Sequence, residues 1–119
     1  MIARTLPLGG DPAYNVRIVP EAVAEFRTHP DAKRLLAACI DILGRDPYRP
    51  SKGKAGLMRG HEPVRKFRPP GFGATRVYYA VDEDEPSIVW LLAVHPRSKD
   101  HRAKDLEAAR KRLDRRQSR

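Results

Sequence analysis

Between Pro63 and Lys99 the sequence reads PVRKFRPPGFGATRVYYAVDEDEPSIVWLLAVHPRSK, and it leaves few folds open. Three runs rich in β-branched and aromatic residues, Val64–Arg68, Ala74–Val81 and Ser87–Val94, are strand-like. They are broken by Pro69-Pro70-Gly71 and by Asp82-Glu83-Asp84-Glu85-Pro86. That punctuation predicts an antiparallel meander. Lys66, Arg68, Arg76 and Arg97 lie in or beside these strands, where an ordinary sheet would carry Thr or Val. Folding the meander gathers them on one face, which is the expected anion site, suited to an RNA phosphate. Strict alternation puts Arg76, Tyr78 and Ala80 on one side and Val77 and Tyr79 on the other. The run Ile88–Val94 is almost wholly apolar, which predicts an interior strand covered on both faces, with Trp90 in the core.

Before the meander, Tyr14, Val16 and Ile18 alternate and predict a first strand. Pro20 suits the first position of a helix carrying Ala22, Val23 and Phe26. Thr28 is the expected N-cap of a second helix with Asp31 in its first turn, and His29 reads as an exposed linker or cap residue. Leu35, Leu36, Cys39, Ile40 and Leu43 form that helix's apolar stripe, and Gly44 its C-terminal stop. Residues 46–61 hold two prolines and several glycines and predict a flexible basic loop. Its Lys52 and Lys54 are placed to grip phosphates. It lacks the GxxxxGK[ST] spacing of a triphosphate-binding loop. After the meander, Ala103, Leu106, Ala109 and Leu113 mark a basic helix with a thin apolar stripe, expected to dock weakly or only with a partner. Residues 1–13 read as a lead-in and 114–119 as a frayed tail.

Charge narrows the class. The chain of 119 residues has a net charge of +9. Residues 45–76 hold nine Lys/Arg against two Asp/Glu, residues 95–119 hold ten against four, and residues 77–94 between them hold only four acids. Segregated positive charge of this size points to a polyanionic partner, nucleic acid before membrane. The single Cys39 sits among leucines and isoleucine as a buried hydrophobe, and no internal disulfide is available. No Cys pair exists, and His95 and His101 lack a third ligand at zinc spacing, so no metal is expected. No apolar run approaches the roughly 20 residues of a membrane span. Arg4, Pro7, Gly9 and Gly10 interrupt any secretory leader, so a cytoplasmic location is expected. The length fits one domain, 1–119.

The order of elements, and particular residues within it, resembles the RelE/ParE superfamily of bacterial type II toxins. Leu43-Gly44-Arg45-Asp46-Pro47 through Lys54-Ala55-Gly56-Leu57 resembles that family's helix end and the loop after it. Phe67-Arg68 followed by Arg76-Val77-Tyr78-Tyr79-Ala80-Val81-Asp82-Glu83 is similar to its hairpin. Leu92-Ala93-Val94-His95-Pro96-Arg97 stands where the family ends its last core strand. The resemblance covers residues 14–113. It implies a small α+β fold: an antiparallel sheet of about four strands, an N-terminal helix pair and a basic C-terminal helix.

On the RelE branch the resemblance implies a metal-independent endoribonuclease without cofactor. Such a toxin cuts mRNA on the ribosome by 2′-OH attack, leaves a 2′,3′-cyclic phosphate, and is held by a cognate antitoxin. It assigns Lys66 as base with its pKa lowered by cationic neighbours, Arg68 as phosphate ligand, Arg76 as transition-state stabiliser and Arg97 as partner of the leaving group or the phosphate. Arg65, Lys52, Lys54 and Lys99 complete the RNA-binding set. The branch's usual Tyr near the start of the last helix is absent around Ala103, which leaves His95 or His101 as acid or base. Two other readings stay open: a ParE-like inhibitor of DNA gyrase, and a non-catalytic basic nucleic-acid-binding module.

Overall fold

The computed structural model describes residues 14–95 and 102–117. The order is β1 (Asn15–Ile18), α1 (Pro20–Arg27), α2 (Ala32–Arg45), β2 (Lys54–Leu57), β3 (Arg65–Arg68), β4 (Arg76–Val81), β5 (Ile88–His95) and α3 (Arg102–Gln117). The sheet has five strands in the order β1-β5-β4-β3-β2, one more than the four expected. The additional strand is β2. Its KAGL sequence reads as loop, but it pairs antiparallel with β3, Lys54 opposite Arg68 and Gly56 opposite Lys66. β1 joins the other edge, parallel to β5. Three of the four pairings are antiparallel, and β5 is interior as its apolar run requires.

Alternation divides the sheet into two faces. Val16, Ile18, Phe67, Val77, Tyr79 and Leu91 meet α1 and α2. Ile18 lines a cleft with Val23, Phe26 and Leu36, and the Tyr79 hydroxyl donates to the carbonyl of Pro47 just after α2. The opposite face carries Lys66, Arg68, Arg76, Tyr78, Ala80 and Trp90. α3 covers its lower half, running along β5 with Asp105 beside His95, Arg112 at Leu92 and Arg116 over Trp90. The spacings agree: seven helical residues and three strand residues each advance about 10 Å.

Several local expectations change for identifiable reasons. Pro20 does open α1. Thr28 closes α1 instead of opening α2, because its hydroxyl donates back to the Glu25 carbonyl at 2.8 Å. Asp31 is the N-cap of α2, and its carboxylate pairs with Arg34 at 3.1 Å instead of capping. Gly44 does not end α2. It is buried one residue before the end, and its carbonyl accepts from the Tyr14 amide at 2.8 Å, tying the helix to the start of β1. The buried stripe is Leu35, Cys39, Ile42 and Leu43, while Ile40 is 41% exposed. Position i+5 turns away from a stripe built on i, i+4, i+7 and i+8.

α3 docks firmly rather than weakly: Leu106, Ala109 and Leu113 are buried. The helix runs to Gln117 through residues read from sequence as a frayed tail, and Arg115 pairs with Glu21 of α1 at 2.8 Å. Trp90 is only half-buried, and its indole N–H donates to Asp82 at 2.8 Å.

Cys39 is fully buried, and burial pushes its thiol up to about 12. The reactive thiolate is therefore nearly absent at pH 8. Ellman's reagent is expected to leave Cys39 untouched in the native protein and to titrate one thiol on unfolding. Rapid native labelling would show that α2 opens locally.

Candidate nucleic-acid interface

The cationic face owes its composition to the two-residue period of β3 and β4. Lys66 pairs with Tyr78 and Phe67 with Val77, so Arg68 and Arg76 fall opposite each other one position further on. Arg76 pairs in turn with His95, and Arg68 with Lys54. Lys54, Arg68, Arg76 and His95 thus form one transverse row across β2, β3, β4 and β5. Three strand spacings make the row about 14 Å long at the Cα atoms. A second row, Gly56, Lys66, Tyr78 and Ala93, lies beside it.

Lys54, Lys66 and Arg68 line a cleft of about 270 Å³ whose remaining walls are Ala55 and Gly56. Among the described residues no carboxylate lines it. Elsewhere the arginines are matched with acids: Arg34 with Asp31, Arg45 with Asp41, Arg110 with Asp114, Arg112 with Glu25. Among the described residues no carboxylate pairs with Lys54 or Arg68, so their charge faces the open cleft. A phosphodiester entering it would meet fixed cations whose mutual repulsion is already present in the fold.

Arg76 lies on the expected face but is fully buried, its guanidinium 5.9 Å from the centre of the Tyr78 ring. Arg76 is not among the cleft's lining residues, and its charge would act on a ligand there from the neighbouring strand. His95 ends β5 half-buried, edge-on to Tyr78 at 5.7 Å, with Nε2 3.5 Å from Oδ1 of Asp105. That separation is long for a hydrogen bond but within ion-pair range, so the carboxylate orients the imidazole loosely.

Arg65 does not join the cleft. It pairs with Tyr79, one residue out of phase with Lys66, and its guanidinium lies 4.9 Å over the Tyr48 ring on the opposite face. Lys52 is exposed in the loop entering β2, outside the cleft lining. Arg97, Lys99 and His101 lie outside the described residues.

Two residues at this face were not singled out in sequence. Tyr78 stands between Lys66 and Ala93, and alternation with Arg76 was its signal. Asp105 had no local signal, because only the docking of α3 brings it to His95. A further contact steadies the approach to Arg76. His29 Nδ1 accepts from the Asp31 amide at 3.0 Å, so Nε2 carries the proton and donates to Thr75 at 3.2 Å.

No family model and no curated protein matches the chain. Solved structures do. A mutant of the Escherichia coli toxin RelE in the free state superposes with a TM-score of 0.61 at 19% identity, over 85% of this chain and 98% of that one. The archaeal RelE–RelB complex from Pyrococcus horikoshii matches with a TM-score of 0.57 at 25% identity, over 74% and 99%. The toxin–antitoxin complex RelBE2 from Mycobacterium tuberculosis matches at 30% identity with a TM-score of 0.50, over 70% of this chain and 95% of that one. The chain belongs to the RelE toxin family. Its α+β architecture is the RelE fold, and the cationic cleft between β2 and β3 is a feature of this family member's sheet face.

Proposed function

We propose that this RelE-family chain is the toxin of a toxin–antitoxin pair and acts as a ribosome-dependent endoribonuclease on mRNA. The observation that carries the reading is the cleft whose described lining holds Lys54, Lys66 and Arg68 and no acidic residue, on the sheet face that ends in His95. In the proposed reaction the 2′-oxygen attacks the adjacent phosphorus as its proton passes to a base. The bond from phosphorus to the 5′-oxygen then breaks, and that oxygen takes a proton. Products are a 2′,3′-cyclic phosphate and a 5′-hydroxyl, with no metal required. Lys66 is the proposed base. Lys54 and Arg68 hold the nonbridging oxygens, where negative charge grows in the transition state. His95, oriented by Asp105, is the proposed proton donor, with Arg97, Lys99 and His101 as further candidates. Arg76 contributes its field from the neighbouring strand β4.

Two of the similar structures are complexes named for RelB as well as RelE. An antitoxin partner follows for this chain, and an acidic segment is the chemistry its +9 charge would attract.

The test is translation of a defined mRNA with the protein present, mapping 5′ ends and identifying the termini. Cuts confined to ribosome-bound message, bearing 5′-hydroxyl and cyclic phosphate ends, are expected. Intact RNA with gyrase-dependent DNA breaks would assign the chain to ParE-like activity instead. Intact RNA and DNA with salt-sensitive binding would leave a non-catalytic binding module.

A further inference from the structure

Gly56 sits in the interior of the four-residue strand β2. Among the other glycines outside the helices, Gly53, Gly60, Gly71 and Gly73 have φ between +60° and +86°, which the backbone itself demands. At Gly53 a Cβ would also come within 2.5 Å of the Arg68 carbonyl. Gly56 has neither reason. Its φ is not positive, and a Cβ built there meets no atom within 4 Å. A strand loses stability by carrying glycine at such a position, since any β-branched residue would fit and restrict the unfolded chain. Gly56 also faces Lys66 across the ladder and is a wall of the cleft shared with Lys54 and Arg68.

We propose that Gly56 is the seat of the bound sugar–phosphate backbone, kept bare so that an RNA phosphodiester can lie against β2 between Lys54, Lys66 and Arg68. This rests on the reading of the cleft as an RNA site and adds the surface on which the strand rests. The three cations fix the ligand's charge. The missing side chain fixes how closely its backbone approaches, and a cleft of about 270 Å³ holds a backbone segment more readily than a drug-sized ligand, for which about 300–1,000 Å³ is usual. A side chain at position 56 would lift the phosphate away from the three cations together.

The experiment compares wild type with Gly56→Ala and Gly56→Val, using Leu57→Val on the opposite face of the same strand as control. Thermal unfolding, binding of a fluorescent single-stranded oligoribonucleotide, binding of an acidic peptide and cleavage on ribosomes are measured for each. Gly56→Val is expected to melt at or about 2–5 °C above wild type, through gained strand propensity. Its cleavage rate is expected to fall by about 100-fold, the cost of displacing a reacting group by about 1 Å. Oligoribonucleotide binding should weaken in the order Ala then Val, with Leu57→Val unchanged. Wild-type-like RNA binding and cleavage by Gly56→Val would overturn the inference, as would an effect confined to the acidic peptide. A clear fall in melting temperature would also overturn it, because the position would then lack the room assigned to it. Absence of RNA binding by wild type would instead remove the proposed function itself.

Discussion

Replacing Lys66 and Arg68 together by alanine is expected to lower mRNA cleavage by at least about 1,000-fold while leaving the fold intact. Loss of a single charge-stabilising group in a preorganised site costs about 100- to 1,000-fold. These two residues supply both cations that β3 contributes to the cleft. Arg68 is exposed and Lys66 half-buried, so neither side chain holds the core. The effect should therefore fall on the rate and not on thermal unfolding. Salt titration gives an independent check. Each phosphate contact contributes a slope of about 0.7 in log K against log salt for single strands, so the double variant should flatten the slope by about 1.4. Arg68→Lys keeps the charge but loses the planar fork that grips two oxygens, and should retain the slope while losing roughly tenfold in rate. An unchanged slope in the double variant would place the RNA elsewhere on the protein.

Breaking the Glu25–Arg112 pair is expected to destabilise the chain by about 2–3 kcal/mol, lowering its melting temperature by about 10 °C. The reason lies in the sheet. β1 stops at Ile18, but β5 continues to His95, so among the described residues one edge of β5 has no neighbouring strand beyond Leu91. Glu25 and Arg112 occupy that gap. The Glu25 carboxylate accepts from the Val94 amide at 3.2 Å, and the Arg112 guanidinium donates to the Leu92 carbonyl at 2.8 Å. The two side chains grip each other through two contacts of 3.0 Å. Both are largely shielded from water, so removing one leaves a charge and a backbone group without partners. Glu25→Gln should cost less than Glu25→Ala, because its amide oxygen still accepts from Val94. The neighbouring Glu21–Arg115 bridge is more exposed, and its loss should cost well under half as much. Equal losses at the two bridges would refute the edge-sealing role and leave only a generic link between α1 and α3.

How much of this was legible beforehand depended on how local each cause was. The β3–β5 meander, Pro20 at the start of α1 and the burial of Cys39 follow from turn residues, fixed φ and apolar periodicity within a few positions. The shared face of Lys66, Arg68 and Arg76 also follows from alternation. The same rule, carried one residue back, would have moved Arg65 off that face. β2 was hidden because Lys54-Ala55-Gly56-Leu57 has little strand propensity of its own and is held by its ladder with β3. Strand β1 was readable, but its parallel pairing with β5 was not, since direction of pairing leaves no mark on a four-residue segment.

The amino-acid sequence by itself determined four of the five strands and the three helices in outline, and which sheet face collects positive charge, because both depend on backbone periods of 2 and 3.6 residues. Only the tertiary structure decided which of those charges reach solvent. Docking of α3 across β4 and β5 covers the lower half of the cationic face, brings Asp105 to His95 and leaves Lys54, Lys66 and Arg68 around the open cleft while Arg76 lies buried. Accessibility is set by what packs against a residue from elsewhere in the chain, and no window of sequence around Arg76 shows that its guanidinium ends fully buried.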